Sequence, residues 1–465
     1  MSNTIICKEG YLIPKNTKNI EEIKKELTVE PFQVCSFGQK PDKFEIFQEN
    51  DTYLSIPKFY GYEKFGKPTI NKEKSGKKIN IKFNSELREK QKEILKTVIP
   101  YLEKNEGGVM CLPCGYGKTI LSLYLACYFQ VKTLVIVHKS FLLNQWKERA
   151  TEFTNATIGT LQRDKIDIDK DIVIGMLQSI AKDRYDSSVF KDFGLVIFDE
   201  AHHAPSKYFS RALPIISCKL SIGLSATPKR SDKMEKILYW YFGSIMYKLE
   251  NQQNNSVLVN IINYNIEHEK FKEFYMMRGE VNRPKTINSI ITIGRRNNFI
   301  VNTIEEVIIE DGRKILVLSD RVEHLTLLKN RINSKNITSC DYYIGGMNMN
   351  ALKKSEEAQI ILATYGMASE ALDIPDLNTL FMVTPRREIE QAVGRITRKI
   401  NAELRPIVYD FVDMLPTFIN QSKHRSKFYK KSGFEQKYID VENNEIITTR
   451  EHVEIMDSMD CDFID

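Results

Sequence analysis

Runs of continuously apolar residues separated by helical stretches constrain this chain more than any other feature. In the first half they are Gly108–Leu112, Thr133–His138, Ile172–Met176, Leu195–Phe198 and Ser221–Ser225. A strand with one wet face alternates apolar and polar residues. A strand apolar throughout is covered on both faces, as in a parallel sheet flanked by helices. From about residue 290 the pattern starts again with Lys314–Ser319, Ile360–Thr364 and Leu380–Thr384, and Val322 to Ile332 reads as an amphipathic helix. The expected fold is therefore α/β, with two parallel-sheet domains in tandem. The 465 residues are enough for about three domains. Expected boundaries are 1–85 for a small N-terminal accessory domain and linker, 86–250 and 251–414 for the two sheets, and 415–465 for a short C-terminal extension.

The stretch "LPCGYGKTIL" carries two readings. Cys111 and Cys114 have the spacing of a metal or redox pair. A ribbon or finger site needs a second Cys or His pair, and none follows. Gly117-Lys118-Thr119 instead ends a phosphate-binding loop, here between a strand and a helix running from Thr119 to Phe129. Ile120, Leu123, Tyr124, Cys127 and Tyr128 fall on one face of that helix. Gly115, Tyr116 and Gly117 would turn backbone N–H groups toward phosphates. Lys118 would add a mobile charge and Thr119 a hydroxyl for magnesium. The cysteines then become small apolar strand and turn residues.

Asp199 and Glu200 follow the run Leu195–Phe198, at the carboxyl edge where such sheets bind ligands. Two adjacent carboxylates there suit a magnesium ligand, Asp199, and a base orienting water, Glu200. Alone, the pair reads equally well as an acidic helix start. The second block has no phosphate loop and ends in "EIEQAVGRITRK". The spacing of Gln391, Arg395 and Arg398 puts an amide and two guanidinium groups on one helical face, although most such faces are merely solvated.

Charge and composition exclude little. A formal net charge of +6 permits a nucleic-acid partner without demanding one. The longest uncharged apolar run, Thr119 to Val131, is shorter than the roughly 20 residues of a membrane span. No segment resembles a signal peptide, and eight scattered cysteines fit a reduced, intracellular protein.

Taken in order, "PCGYGKT", "DEAHH", "GLSATPKR", "ATYGMASEALDIPD" and "QAVGRITR" resemble the motifs of superfamily 2 helicases and translocases, whose motor is a pair of RecA-like domains. "LREKQKEIL", "LVIVHKSFLLNQW" and "YYIGG" are similar to the branch holding the xeroderma-pigmentosum group B helicase, phage recombination helicases and helicases of large DNA viruses. "VEPFQ" and "LSIPKFYGYEKFG" resemble the N-terminal segment of its viral and phage members. The resemblance implies ATP and magnesium as cofactors and a DNA helicase or duplex translocase moving 3′ to 5′. An RNA-directed helicase, or a nucleotide-gated subunit of a transcription or repair complex, is the alternative, and DNA, then RNA or RNA polymerase, are the expected partners. It places Lys118, Thr119, Asp199 and Glu200 at the phosphates and magnesium, and Arg88 and Gln91 on the adenine side. Ser225 and Thr227 fall on the coupling motif, and Gly366, Glu370 and Asp373 on motif V. Gln391, Arg395 and Arg398 fall on motif VI, which reaches the nucleotide across the cleft. His138 to Gln145 and Gln178-Ser179 fall where the family touches the phosphate backbone. Leu112 departs from the small residue usual at the loop's start. The expected setting is intracellular with no membrane partner, in host cytoplasm or virion if viral, and a monomer is the expectation for an oligomeric state that the sequence leaves open.

Two terminal features stay outside the resemblance. Lys423 to Lys431 holds five Lys/Arg and no acid, with Phe428 and Tyr429 among them. Such a segment can grip a backbone and stack bases, or be a solvated helix. After Arg450 come six acidic residues without Lys or Arg, the composition of a solvated or partner-binding tail.

Overall fold

The computed structural model describes residues 4–32, 42–113, 116–182, 184–226, 230, 232–249, 257–277, 279–370, 372, 374–397 and 404–451. They form two compact units, Met1–Glu250 and Asn251–Asp465.

The main sheet of the first unit has eight strands. Their order is Lys165–Asp167, Ile158–Gln162, Ile172–Met176, Thr133–Val137, Leu195–Phe198, Leu220–Ser225, Gly107–Cys111 and Ile245–Lys248. All are parallel except Lys165–Asp167. Side chains alternate between two cores, as the twofold period of a strand requires. Leu134, Ile136, Val196 and Phe198 enter one core, whereas Val135, Val137, Leu195 and Ile197 enter the other. That double burial is why these runs lack polar residues. The parallel register brings the strand ends to one edge, with Cys111 opposite Ser225 and Phe198 opposite Gly223.

The helix Lys118–Phe129 forms, but its inward face differs from the expected one. Leu121, Leu123, Leu125, Ala126 and Cys127 are buried, while Tyr128 is 45% exposed. A helix apolar around its circumference gives periodicity nothing with which to orient it.

Residues 4–71 hold a five-stranded sheet in the order Gln48–Glu49, Tyr53–Ile56, Gly10–Pro14, Ile5–Cys7 and Ile70–Asn71. Its Ile6, Tyr11, Leu54 and Tyr60 share a core with Phe198 and Phe242 of the main sheet's unit. A buried ammonium reinforces the junction. Lys58 Nζ lies 2.9 Å from both oxygens of Glu73, 3.0 Å from Glu106 and 3.0 Å from the Lys219 carbonyl. A buried charge is tolerated when its donors are all spoken for.

The second unit also has eight strands, in the order Cys340–Tyr343, Ile360–Thr364, Ile315–Ser319, Thr379–Met382, Ile407–Asp413, Leu258–Asn265, Glu435–Glu442 and Glu445–Glu451. Only the last is antiparallel to its neighbour. Arg296, fully buried, clamps Asp413 at 2.6 and 2.9 Å and donates to the Val383 carbonyl at 2.9 Å.

After Asp413 the chain forms the helix Pro416–Lys431 before the two last strands. This helix is not solvated all round, and its Tyr429 is not free to stack on bases. Tyr429 is fully buried, with its hydroxyl donating to Asp410 at 3.0 Å, and Arg425 pairs with the same carboxylate at 2.8 Å. Phe428 is half-buried against Phe434. The acidic residues from 452 onward lie outside the described residues. Among the described residues no helix is long and apolar enough to cross a membrane.

Candidate active site

Gly117 caps the helix Lys118–Phe129 with φ 79° and ψ 37°. A Cβ there would stand 2.3 Å from Gln91 Nε2. Left-handed backbone and that close approach together admit only glycine. Gln91 is held in turn, its Oε1 accepting from the Arg88 backbone N–H at 3.0 Å. The structure thus brings Gln91 onto the loop, while Arg88 is exposed beside it. Lys118 opens the helix and folds its ammonium back to the Leu112 carbonyl, 3.1 Å away. Thr119 follows in the first turn and Tyr116 is half-buried, packed on the core. The Leu112 side chain is fully buried in that core. Only its backbone faces the loop, so a large residue is accepted there. Cys111 is buried in the strand, whereas Cys114 and Gly115 lie outside the described residues.

Asp199 begins where the strand Leu195–Phe198 ends, its N–H bonded to the Ile136 carbonyl at 2.9 Å. Its Oδ2 accepts from Trp146 Nε1 at 2.8 Å and its Oδ1 from the Glu200 N–H at 3.1 Å. Burial and the neighbouring Glu200 push the carboxyl up to about 6, against the pull of the Trp146 N–H and Lys118. Glu200 adopts φ 48° and ψ 52°, a left-handed conformation rare for its type. Its Oε2 is buried with no hydrogen-bond partner among the described residues. His202 Nδ1 lies 3.4 Å from it. A costly backbone and an unsatisfied carboxylate oxygen in the same residue mark a functional position.

His202 also carries the connection to the next motif, its Nδ1 lying 3.1 Å from Ser225 Oγ. Burial lowers the affinity of this imidazole for a proton, Glu200 opposing. Arg230 donates to the His202 carbonyl and forks onto Asp232 at 2.8 and 2.5 Å. The His138 and His203 rings pack at 4.0 Å, and Gln178 donates to the His138 carbonyl. Ser179 Oγ accepts from the Arg163 N–H at 3.0 Å. Thr227 lies outside the described residues.

These residues fit a nucleotide with a hard divalent cation. A glycine cradle at a helix start suits phosphate oxygens. Two adjacent buried carboxylates, one with an oxygen that has no hydrogen-bond partner among the described residues, suit a divalent cation. Among the described residues no group of three or more acidic, His or Cys side chains forms a self-sufficient metal site. Magnesium does not need one, since it is held by one or two carboxylates plus substrate phosphates and water.

In the second unit the described residues carry only the start of the expected helical face of motif VI. The helix spans only Glu390–Val393, and from Gly394 the chain turns. Gln391 is half-buried on it. Arg395 is buried, its Nε donating to the Ala368 carbonyl at 2.7 Å and NH1 to the Leu372 carbonyl at 2.8 Å. Those bonds hold it against the segment after the helix start at Tyr365, which breaks the regular spacing. Gly366 and Glu370 lie in the helix Tyr365–Glu370. Asp373 and Arg398 lie outside the described residues.

The family model described as Type III restriction enzyme, res subunit, matches residues 84–230. A protein of Acanthamoeba polyphaga mimivirus bearing the name of an ATP-dependent RNA helicase is 38% identical over 457 residues, covering 94% of this chain and 88% of its own length. The chain belongs to the superfamily 2 helicases. The helicase is accordingly an ATP hydrolase, and its branch includes helicases of large DNA viruses. Two solved structures share the fold. A variant of S. cerevisiae Dbp5 bound to RNA and ADP BeF3 is 13% identical, with a TM-score of 0.53 over 76% of this chain and 90% of that one. The ATP-dependent Type ISP restriction-modification enzyme LlaBIII bound to DNA is 16% identical, with a TM-score of 0.50 over 72% of this chain and 28% of that one. The helicase therefore has two RecA-like units.

Sequence reading passed over Trp146 and Arg230. The signal for Trp146 was available, because a buried indole N–H seeks an acceptor and its helix follows the strand beside Leu195–Phe198.

Proposed function

We propose that this helicase is a DNA motor, a translocase or strand-separating enzyme moving 3′ to 5′ in the transcription, repair or recombination of a viral or phage-like genome. The observation carrying the ATPase centre is the meeting of Gly117, Lys118, Asp199 and Glu200 at one sheet edge. Lys118 and the loop N–H groups would hold the outer phosphates, with Thr119 and Asp199 as the magnesium ligands. Bound ATP supplies the phosphoryl group whose hydrolysis releases energy. Glu200 is placed to take a proton from water, and its bare Oε2 is the acceptor. His202 carries the state of Glu200 to Ser225, the next motif along. Gln391, Arg395 and Arg398 are the catalytic candidates of the second unit, with Arg395 bracing the motif V segment through the Ala368 and Leu372 carbonyls.

DNA is favoured by the match to a restriction-enzyme subunit, while the fold is shared alike with DNA-bound LlaBIII and RNA-bound Dbp5. The mimivirus relative's name favours RNA as a second reading. The test is steady-state ATP turnover with single-stranded DNA, duplex DNA and RNA of matched length. Stimulation by DNA supports the proposal, and stimulation by RNA alone overturns it.

A further inference from the structure

The basic run near the C-terminus acquires a definite geometry in the fold. Phe418, Gln421, Arg425 and Tyr429 form the buried side of the helix Pro416–Lys431. Lys423, His424, Lys427, Lys430 and Lys431 lie on the other side, all exposed. Arg387, exposed on the segment leading to motif VI, stands near enough to His424 to disfavour its protonation. Desolvation is the larger cause there, and Lys427 acts in the same sense as Arg387. The Arg425 guanidinium fixes the helix to that segment, donating to the Arg386 carbonyl at 2.6 Å.

Among the described residues, none of Lys423, Lys427, Lys430, Lys431 or Arg387 has a salt bridge. Other surface lysines of this unit are paired in places, as Lys329 is with Asp341 at 2.8 Å and Lys335 with Glu305 at 2.5 Å. Lys423, Lys427 and Lys431 follow one another at i, i+4 and i+8, a spacing at which like charges repel. Glu390 feels Lys431, but burial and Glu388 raise its carboxyl.

We infer that this stripe, with Arg387, is a rail for the phosphate backbone of the nucleic acid on which the helicase works. The inference rests on the nucleic-acid motor reading and adds a contact outside its conserved-type motifs. A polyanion supplies the missing counter-charge along the whole line. From Lys423 to Lys431 the helix rises about 12 Å, enough to follow roughly three phosphates of one strand. An acidic protein fits less well. Protein interfaces centre on aromatic and apolar anchors and are poor in lysine, whereas Phe418 and Tyr429 of this helix are buried and Phe428 is half-buried. With mainly cationic groups exposed, the rail reads charge and not bases.

The test uses the full chain with Lys423, Lys427 and Lys431 all changed to Gln. Binding of a fluorescent single-stranded oligonucleotide is followed by anisotropy across a salt series, with two unrelated sequences. The expected result is about 10-fold or greater loss of affinity for both. The slope of log affinity against log salt should shrink by about 2, near 0.7 for each lost contact. Changing the three to Arg should restore both, and turnover without nucleic acid should stay as in the wild type. An unchanged affinity and slope in the Gln variant overturns the rail while leaving the motor reading intact. So does loss of an acidic protein partner with nucleic-acid binding kept. A wild-type chain that binds no nucleic acid overturns both.

Discussion

The indole N–H of Trp146 donates to Oδ2 of Asp199 across 2.8 Å, and both side chains are buried. With the Glu200 N–H on Oδ1, the bond fixes the rotation of the carboxylate. It also pulls the carboxyl toward its charged form, against the burial and the Glu200 charge that raise it to about 6. Trp146 is thus a positioning residue for the expected magnesium ligand.

Trp146→Phe keeps the ring's packing and removes the donor. An unsatisfied buried carboxylate oxygen costs about 1–3 kcal/mol. The affinity for magnesium-nucleotide should therefore fall by about 10-fold, with nucleotide alone affected less. The helicase has two tryptophans, so in a Trp240→Phe background the emission of Trp146 should change on adding magnesium to the nucleotide complex. Equal magnesium affinity in the Phe variant would remove the role.

Arg395 and Arg398 should separate in their effects. Arg395 is built into the second unit through the Ala368 and Leu372 carbonyls. Arg395→Ala should destabilise that unit by about 2–3 kcal/mol, the scale of hydrogen bonds from a charged donor, and lower turnover as motif V loosens. Arg398→Ala should lower turnover about 10³-fold without that loss of stability. Urea unfolding beside ATP turnover distinguishes the two, and equal melting of both variants would contradict the assignment.

His324 gives the second unit a pH dependence. It is fully buried, with Nε2 3.0 Å from Asn297 Oδ1 and Nδ1 3.1 Å from Ser319 Oγ. Asn297 Nδ2 donates to the Ile291 carbonyl, so its Oδ1 accepts and the proton sits on Nε2. Burial first, then Arg296 and Arg331, hold this imidazole well below its ordinary 6.5. Acid then protonates only the unfolded chain. Stability is whole above 6.5 and is lost as the pH falls below it, at up to about 1.4 kcal/mol per pH unit. Urea midpoints at about pH 7.5 and about pH 5.5 should differ more for the wild type than for His324→Gln. An equal difference would show that the proton goes elsewhere.

Much of this was legible from residue order. Strands such as Ile172–Met176 and Leu195–Phe198 are apolar at every position because each sheet is covered twice, and the structure forms both with those bounds. Lys118, Asp199 and Glu200 were readable because a strand end, a glycine turn and a helix start place chemistry by position alone. The inward side of the helix Lys118–Phe129 was not, since every side of it is apolar. The turn at Gly394 was hidden for a different reason. Helical spacing is a local rule, whereas Arg395 is held by carbonyls more than twenty residues away. The burial of Tyr429 is likewise set by Asp410 on a strand earlier in the chain.

The central claim is that Glu200, with its strained backbone and bare buried oxygen, is the base for ATP hydrolysis driven by nucleic acid. The direct measurement is ATP turnover with and without DNA for the wild type and Glu200→Gln, beside nucleotide and DNA affinities. The substitution removes charge at nearly constant shape. DNA-stimulated turnover should fall by about 10²-fold or more, the scale of a lost general base, with both affinities kept. Wild-type turnover in Glu200→Gln would contradict the account.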